Sequence, residues 1–484
     1  MSPVLIVGAG PVGLTMALEL VRFGIDVRIV ERNARPTDTS RALVVWARTL
    51  ELLDRSGLTP AFLEVGLKAH GASLRSGKTV LGGPRFDDVA SAYNFALMIP
   101  QRDTERLLIA RLLSLGIEVE RQVELVAFSS KEDGVEATLG HADGRHETVA
   151  TPWLLGCDGA HSAVRHGLQV GFDGSTRDDD WLIADVRLAG PDAPPADEVS
   201  IYLHRDGPFA VFPLPGGRAR VVARLGITDT TRPRPDPLLG DVQRFIDERA
   251  GGGFAASDPV WLTTFRINER KVSQYRFGRV FLAGDAAHIH SPAGGQGMNT
   301  GMQDAINLAW KLAMVIRGDA RETLLDSYSP ERNAVADMVL RNASKLTDVG
   351  TLTSPAAQAA RDLVAKFLLG LHAVRRGMAT SMSEIDIAYG RSPLSSGRQA
   401  GIRWDPRLYA GPPPGAGVRP GFVLYAARPE TARSVAREFP TLLEDQVRLS
   451  PDDKAYVVRP DGYVGLTTDG DDLAAVERYL KTLL

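Results

Sequence analysis

The stretch that most constrains the fold is Arg279 to Ile316, RVFLAGDAAHIHSPAGGQGMNTGMQDAINLAWKLAMVI. Arg279 to Ala283 is a short apolar, β-favouring run and reads as a buried strand. It ends at Gly284-Asp285, where a carboxylate leaves the sheet edge and can accept hydrogen bonds from a polyol. A loop follows with Pro292, Gly294, Gly295 and Gly297. Glycines there permit close backbone approach to a ligand, and their N–H groups make a nest for an anion or a carbonyl. From about Met298 the apolar spacing turns helical, with Met302, Ala305, Ile306, Ala309, Leu312 and Ala313 on one face. The partly positive end of that helix points at whatever the glycines hold. His288 and His290 read as capping or packing histidines, because no carboxylate or Cys set accompanies them as metal ligands.

A second glycine motif opens the chain. Pro3 to Val7 is a buried strand that meets Gly8-Ala9-Gly10-Pro11-Val12-Gly13, and the helix that follows carries Leu14, Ala17, Leu18 and Val21 on its apolar face. Ile25 to Val30 gives a second strand, ending at Glu31. This is a complete βαβ unit of about 30 residues. Gly8 makes the tight turn, Gly10 lets a pyrophosphate approach the backbone, and Gly13 packs helix on strand. Glu31 can take ribose hydroxyls. The unit indicates dinucleotide binding, but by itself it does not separate FAD from NAD. A third turn follows the Trp153–Gly156 run, at Cys157-Asp158-Gly159-Ala160-His161, where the Asp158 side chain can anchor a tight turn. Cys157 is the single cysteine. It excludes an internal disulfide and reads as an inert buried thiol.

Residues 284–313, GDAAHIHSPAGGQGMNTGMQDAINLAWKLA, resemble the flavin site of the FAD-dependent aromatic hydroxylases, the family of para-hydroxybenzoate hydroxylase, and especially its aromatic-polyketide branch. The resemblance implies that Gly284 and Asp285 hold the ribityl chain and that Pro292 lies close to the isoalloxazine ring. The backbone of Gly294, Gly295, Gly297, Met298 and Asn299 then contacts the pyrimidine side. At the other end, Gly8, Gly10, Pro11, Val12 and Gly13 cradle the pyrophosphate, Glu31 and Arg32 meet the adenosine ribose, and the backbone near Leu125 meets the adenine. Asp158 matches the family's DG motif. Arg41 matches an arginine that contacts the FAD pyrophosphate or passing nicotinamide phosphates, work that suits a guanidinium with paired donors. By resemblance Arg41 and Pro292 are the residues nearest to catalysis. Gln101 matches a residue bonding the flavin side, or caps the helix expected from Gln101. His161 and Arg165 match positions implicated in the pyridine nucleotide, or are structural. Arg48 reads as a solvated helix residue and Trp46 as core.

The remaining pattern completes an α/β organisation. A Rossmann-like FAD-binding domain with a helical extension is expected over 1–175 and 268–390. It is interleaved with a mainly antiparallel substrate-binding sheet over 176–267, to which 70–98 contributes. Strands are expected at Trp181–Leu188, Val199–His204, Phe209–Leu214, Arg218–Gly226 and Trp261–Ile267. Tyr202, His204, Phe212 and Arg224 are candidates to face the substrate, although alternation does not say which face points in. Helices continue to about 380, with one run over Ala356 to Met378. Residues 391–484 form a linker and a strand–helix–strand–turn–strand–helix tail with an Asp461-Gly462 hairpin turn. The tail resembles the thioredoxin-like domain of phenol hydroxylase and polyketide hydroxylases. It has no CxxC pair, so a redox role is excluded.

A net charge of −3 over 484 residues gives no electrostatic reason for nucleic-acid binding. No apolar run reaches the roughly 18 residues of a bilayer span, and no signal peptide is evident, so a cytoplasmic protein is expected. The resemblance implies a monooxygenase in which NADPH or NADH reduces FAD. O2 then adds to give a flavin C4a-hydroperoxide that hydroxylates a small phenolic or polycyclic aromatic substrate. Alternatives on the same scaffold are Baeyer-Villiger oxygenation, a flavin reductase, or a non-enzymatic FAD-binding protein. A monomer or homodimer is expected.

Overall fold

The computed structural model describes residues 3–37, 42–227, 234–352 and 354–484. Its centre is a six-stranded sheet in the order Arg276–Phe277, Val280–Leu282, Leu154–Gly156, Val4–Val7, Val27–Glu31 and Glu120–Arg121. Every pairing is parallel except that of the Arg276–Phe277 edge strand. The three central strands are buried at every residue, as expected where both faces of a parallel sheet are covered. Helix Pro11–Arg22 packs against helix Gly297–Ile316 over this sheet.

The topology explains why motifs far apart in sequence meet. Val4–Val7, Leu154–Gly156 and Val280–Leu282 are neighbours and run the same way. Their carboxyl ends therefore deliver Gly8, Asp158 and Gly284-Asp285 to one edge, where ligands of open α/β sheets bind.

The second layer is an eight-stranded sheet: His288–Ile289, Ala255–Lys271, Asp173–Ala189, Arg218–Ile227, Phe209–Leu214, Glu198–Tyr202, Gly71–Ser76 and Thr79–Gly82. Only Glu198–Tyr202 beside Gly71–Ser76 is parallel. Two strands are far longer than the runs expected from sequence, because their ends also pair with each other, as in Asp173 opposite Lys271 and Ala189 opposite Ala255. A helix inside this segment, Leu239–Arg249, has no counterpart in the sequence reading. Its Val242, Phe245 and Ile246 cover the outer face, where Leu182, Ala184, Tyr202, Phe209, Val211 and Val221 point. The inner face carries Val199, Ile201, Phe212 and Leu214 against Leu43, Val44 and Trp46. Tyr202 is therefore corrected: it points to the outer face, its ring tilted against that of Phe209.

Two further boundaries differ. The expected Ile117–Phe128 strand breaks at Gln122, which has φ 58°, into pieces that serve different sheets. The Ala356–Met378 run is two helices, Pro355–Gly370 and His372–Met382. Among the described residues no helix is long and apolar enough to cross a membrane.

The tail forms a four-stranded sheet in the order Arg448–Leu449, Val423–Ala426, Tyr456–Val458 and Val464–Thr467. Gly462 adopts φ 77° in the Asp461-Gly462 turn. That turn is inserted into the body of the protein. Arg48, expected in solvent, is fully buried and donates to Asp461 O at 2.6 Å. Arg22 holds Gly415 O and Gly417 O at 2.6 and 2.7 Å.

Candidate functional site

The three glycines of the first loop do different work. Gly8 has φ 99°, and a Cβ there would lie 2.5 Å from Cys157 O. A Cβ on Gly13 would lie 1.9 Å from Gly8 O. Both exist to let backbones touch. At Gly10 an added Cβ meets none of the described residues within 4 Å. That space is the cradle a phosphate group would occupy, over a helix that starts with Pro11. Glu31 shapes the loop from beneath, its Oε2 accepting from Ala9 N at 2.9 Å while Oε1 accepts from Asn33 N at 2.9 Å. Arg32 beside it is exposed. Gly10→Val should therefore leave the apo-protein within about 0.5 kcal/mol of the parent yet prevent FAD uptake. A yellow Gly10→Val protein would contradict that assignment.

Val12 joins this loop to the next motif. A Cβ on Gly284 or on Gly301 would come within 2.7 Å of the same Val12 methyl. Asp158 lies directly behind, its Oδ2 accepting from Val164 N at 3.2 Å. Its other oxygen is buried without a hydrogen-bond partner among the described residues, and burial raises its pKa. An acceptor stranded at this edge fits a ligand hydroxyl. Arg165 is a brace: buried, it donates to Ala160 O at 2.8 Å and Ala286 O at 3.2 Å, with its guanidinium 3.9 Å from the Phe172 ring centroid. The structural alternative for Arg165 thus holds, while His161 is exposed. Burial pushes the Cys157 thiol well up, in keeping with an inert role.

Asp285 is exposed at the end of the Val280–Leu282 strand. Asp304, which sequence reasoning missed, fixes this corner. Its Oδ2 accepts from Gly284 N at 3.0 Å and contacts His288 Nε2 at 2.7 Å, and its Oδ1 accepts from Arg332 Nε at 2.6 Å. Burial alone would raise the Asp304 carboxyl, but Arg332 and His288 outweigh it and hold it below the ordinary range. A single acid on the buried, largely apolar helix was the available signal. His288 is thus a packing histidine. His290 Nδ1 donates to Ser291 O at 2.8 Å, and burial lowers its pKa to about 4, so the ring is neutral. Its Nδ1 then carries the proton, since Ser291 O can only accept.

The glycine loop turns at Pro292, whose carbonyl accepts from Gly295 N at 2.9 Å. Gly294 and Gly295 have φ 90° and 65°. Pro292 is exposed at the tip, and Gly297 and Met298 start the helix half-buried. Asn299 uses its side chain as a clamp: Oδ1 accepts from Trp46 N at 2.8 Å, and Nδ2 donates to Val44 O at 2.9 Å and Gly295 O at 3.1 Å. Trp46 closes the clamp, Nε1 donating to Gly294 O at 3.1 Å, with its ring edge-on to Phe86. Gln101 starts its helix, N donating to Ala42 O at 3.1 Å and Nε2 to Glu105 at 2.9 Å. Leu125 is buried beside a bulge opposite Thr138 and Leu139. Arg41 lies outside the described residues.

Residues 1–343 match the model of a family described as FAD binding domain. The chain is 39% identical over 443 residues to 6-methylpretetramide 4-monooxygenase of Streptomyces rimosus, covering 89% of this chain and 75% of that protein. It is 36% identical to rifampicin monooxygenase of Streptomyces venezuelae, over 80% of each chain. The solved structure of OxyS anhydrotetracycline hydroxylase from Streptomyces rimosus superposes with a TM-score of 0.80 at 33% identity, covering 99% of this chain and 98% of that one. With the open cradle at Gly10, the stranded Asp158 oxygen and these relatives, the chain belongs to the FAD binding domain family and is an FAD-dependent monooxygenase.

Proposed function

We propose that this enzyme hydroxylates a polycyclic phenolic substrate of polyketide type. The edge formed by Gly8 to Gly13, Glu31, Asp158, Asp285 and the Gly294 to Asn299 backbone would hold FAD. When bound and reduced by NADPH or NADH, FAD supplies the electrons that activate O2 for transfer of one oxygen atom. The protein's share is to hold the aromatic ring beside the glycine loop and exclude water.

The observation that carries this reading is the apolar wall beside that loop. Phe212, Ile201, Val199 and Leu214 on the inner sheet face pack with Val44 and Trp46, the residues that clamp Gly294 and Asn299. Register continues the same face through Val222, Ile183 and Trp181. Trp181 stacks near Phe265, and its buried indole N–H has no hydrogen-bond partner among the described residues. An oxygen substituent on a fused aromatic ring would satisfy it. Relatives named for pretetramide, anhydrotetracycline and rifampicin support a large substrate.

For the tail we infer a thioredoxin-like architecture without redox chemistry, because the single cysteine, Cys157, lies outside it. The domains are taken as 1–175 with 268–390 for FAD, 176–267 for substrate, and 391–484 for linker and tail.

The test is substrate-stimulated NADPH oxidation with anhydrotetracycline and simple phenols as probes under isotopically labelled O2. One labelled atom in a hydroxylated polycyclic product is expected. Labelled product from simple phenols alone would reject the polycyclic assignment.

A further inference from the structure

Glu384 lies just past the His372–Met382 helix, behind the glycine loop. It is fully buried, and its backbone φ is 60°, the left-handed region a glutamate rarely adopts. Its carboxyl contacts two residues, both from the first turns of the Gly297–Ile316 helix. Gln303 Nε2 donates to Oε2, and Thr300 Oγ1 lies 3.3 Å from Oε1.

Proton accounting decides the form of this carboxyl. A threonine hydroxyl has one proton. Thr300 Oγ1 stands 3.0 Å from Gln296 O, which can only accept. That one proton serves either Gln296 O or the Glu384 carboxyl, so both contacts are hydrogen bonds at once only when the carboxyl supplies the second proton, and an ionised Glu384 draws the Thr300 proton away from Gln296 O. Gln303 offers no alternative, since its amide protons are taken by Glu384 and by Thr49 Oγ1 at 3.2 Å.

The surroundings do not neutralise a carboxylate here. Among the described residues Arg332 is the cation whose charge acts on Glu384, and it is already bonded to Asp304 Oδ1, Tyr389 OH and Thr300 O. Asp386 on the same segment and Asp304 beyond Arg332 are both acids. Arg48, from the Ala47–Asp54 helix, gives only its backbone N–H to Ser383 O and turns its guanidinium to Glu51 and Asp461 O. Gln296 is gripped from the same segment, its Nε2 donating to Ser381 O at 3.0 Å.

We propose that Glu384 is a positioning residue for FAD: as a neutral acid it donates through Thr300 to the Gln296 carbonyl and fixes the glycine loop, and loss of its proton loosens the cradle. The inference rests on the assignment of FAD to the Gly294 to Asn299 loop. Burial pushes this carboxyl up to about 8. The lock is therefore complete at neutral pH and is lost as pH rises through that value.

The experiment follows FAD release from the full-length holoenzyme by flavin fluorescence on dilution across neutral to alkaline pH. The Kd for FAD should be flat up to neutrality and rise above about pH 8, approaching tenfold per unit. Glu384→Gln keeps a donor for Thr300 and an acceptor for Gln303, so its Kd should match the parent at neutral pH and stay flat. Glu384→Gly suits the left-handed backbone but removes the bridge, so it should bind FAD more weakly at every pH and with no titration. An alkaline rise persisting in Glu384→Gln would assign it to another group, the flavin included, and overturn the proposal, as would a flat parent profile. A parent protein that takes up no FAD at any pH would instead overturn the cofactor assignment.

Discussion

Asp304→Ala is expected to lose about 3–5 kcal/mol of stability, the range for breaking one partner out of a buried ion pair, and to be isolated largely without flavin. Three groups lose their acceptor at once: Gly284 N, His288 Nε2 and the Arg332 guanidinium. Both members of the Asp304–Arg332 pair are fully buried, so water does not replace the carboxylate. Arg332 stays charged, because a guanidinium does not deprotonate in proteins. The loss of flavin has a separate cause. Gly284 immediately precedes Asp285, and its φ of 58° is a turn that the Asp304 bond secures. Asp304→Asn separates the two effects: an amide oxygen can still accept from Gly284 N, while the charge on Arg332 remains unpaired. Asn should therefore recover flavin content more than it recovers stability. Urea unfolding of the apo forms, with flavin absorbance of the purified proteins, measures both. Because folding lowers the Asp304 pKa, its contribution is present at neutral pH and fades as pH falls through its depressed value. An Asp304→Ala protein as stable and as yellow as the parent would remove Asp304 from the site.

What the chain announces in its sequence and what it conceals divide along physical lines. Strands followed by glycine turns are local patterns, and Gly8, Asp158 and Gly284 could each be placed at a strand end without knowing the others. Their meeting at one edge also follows from sequence, once the strands are taken as parallel neighbours. The residues that fix the edge are different in kind. Asp304 with Arg332, Asn299 with Val44 and Trp46, and Glu384 with Thr300 are pairings across 28, 255 and 84 positions, and no periodicity encodes them. Alternation along Val199–His204 was legible, but which face turned inward depended on Leu239–Arg249, an amphipathic helix with an ordinary polar composition. Arg48 shows the same limit. A guanidinium on a short helix looks solvated until the Asp461 turn of the tail covers it.

That covering predicts how the tail is held. Glu331 accepts from Arg459 at 2.6 and 2.9 Å, from Lys311 at 2.8 Å and from Asn307 at 2.7 Å, and all three charged side chains are fully buried. Asp461 adds a bond from Trp310 Nε1 at 3.1 Å and an ion pair to Arg459 at 2.6 Å. Glu331→Ala should cost about 3–5 kcal/mol, and the cost should fall at the seam between tail and body. Lys311 can escape by losing its proton, since burial already brings it down to about 8 even beside Glu331. Arg459 cannot. The expected result is early release of the tail: a second unfolding transition in calorimetry and cleavage by added protease between 391 and 421. Adding Arg459→Met to Glu331→Ala should deepen the loss, because Arg459 still pairs with Asp461 and its removal strips that buried carboxylate of its cation, whereas adding Lys311→Met should change little, since that lysine sheds its proton. If adding Arg459→Met left the loss unchanged, or if Glu331→Ala unfolded in one transition at the parent's denaturant midpoint, the tail would be held by its apolar contacts and the buried charges would contribute nothing to its docking.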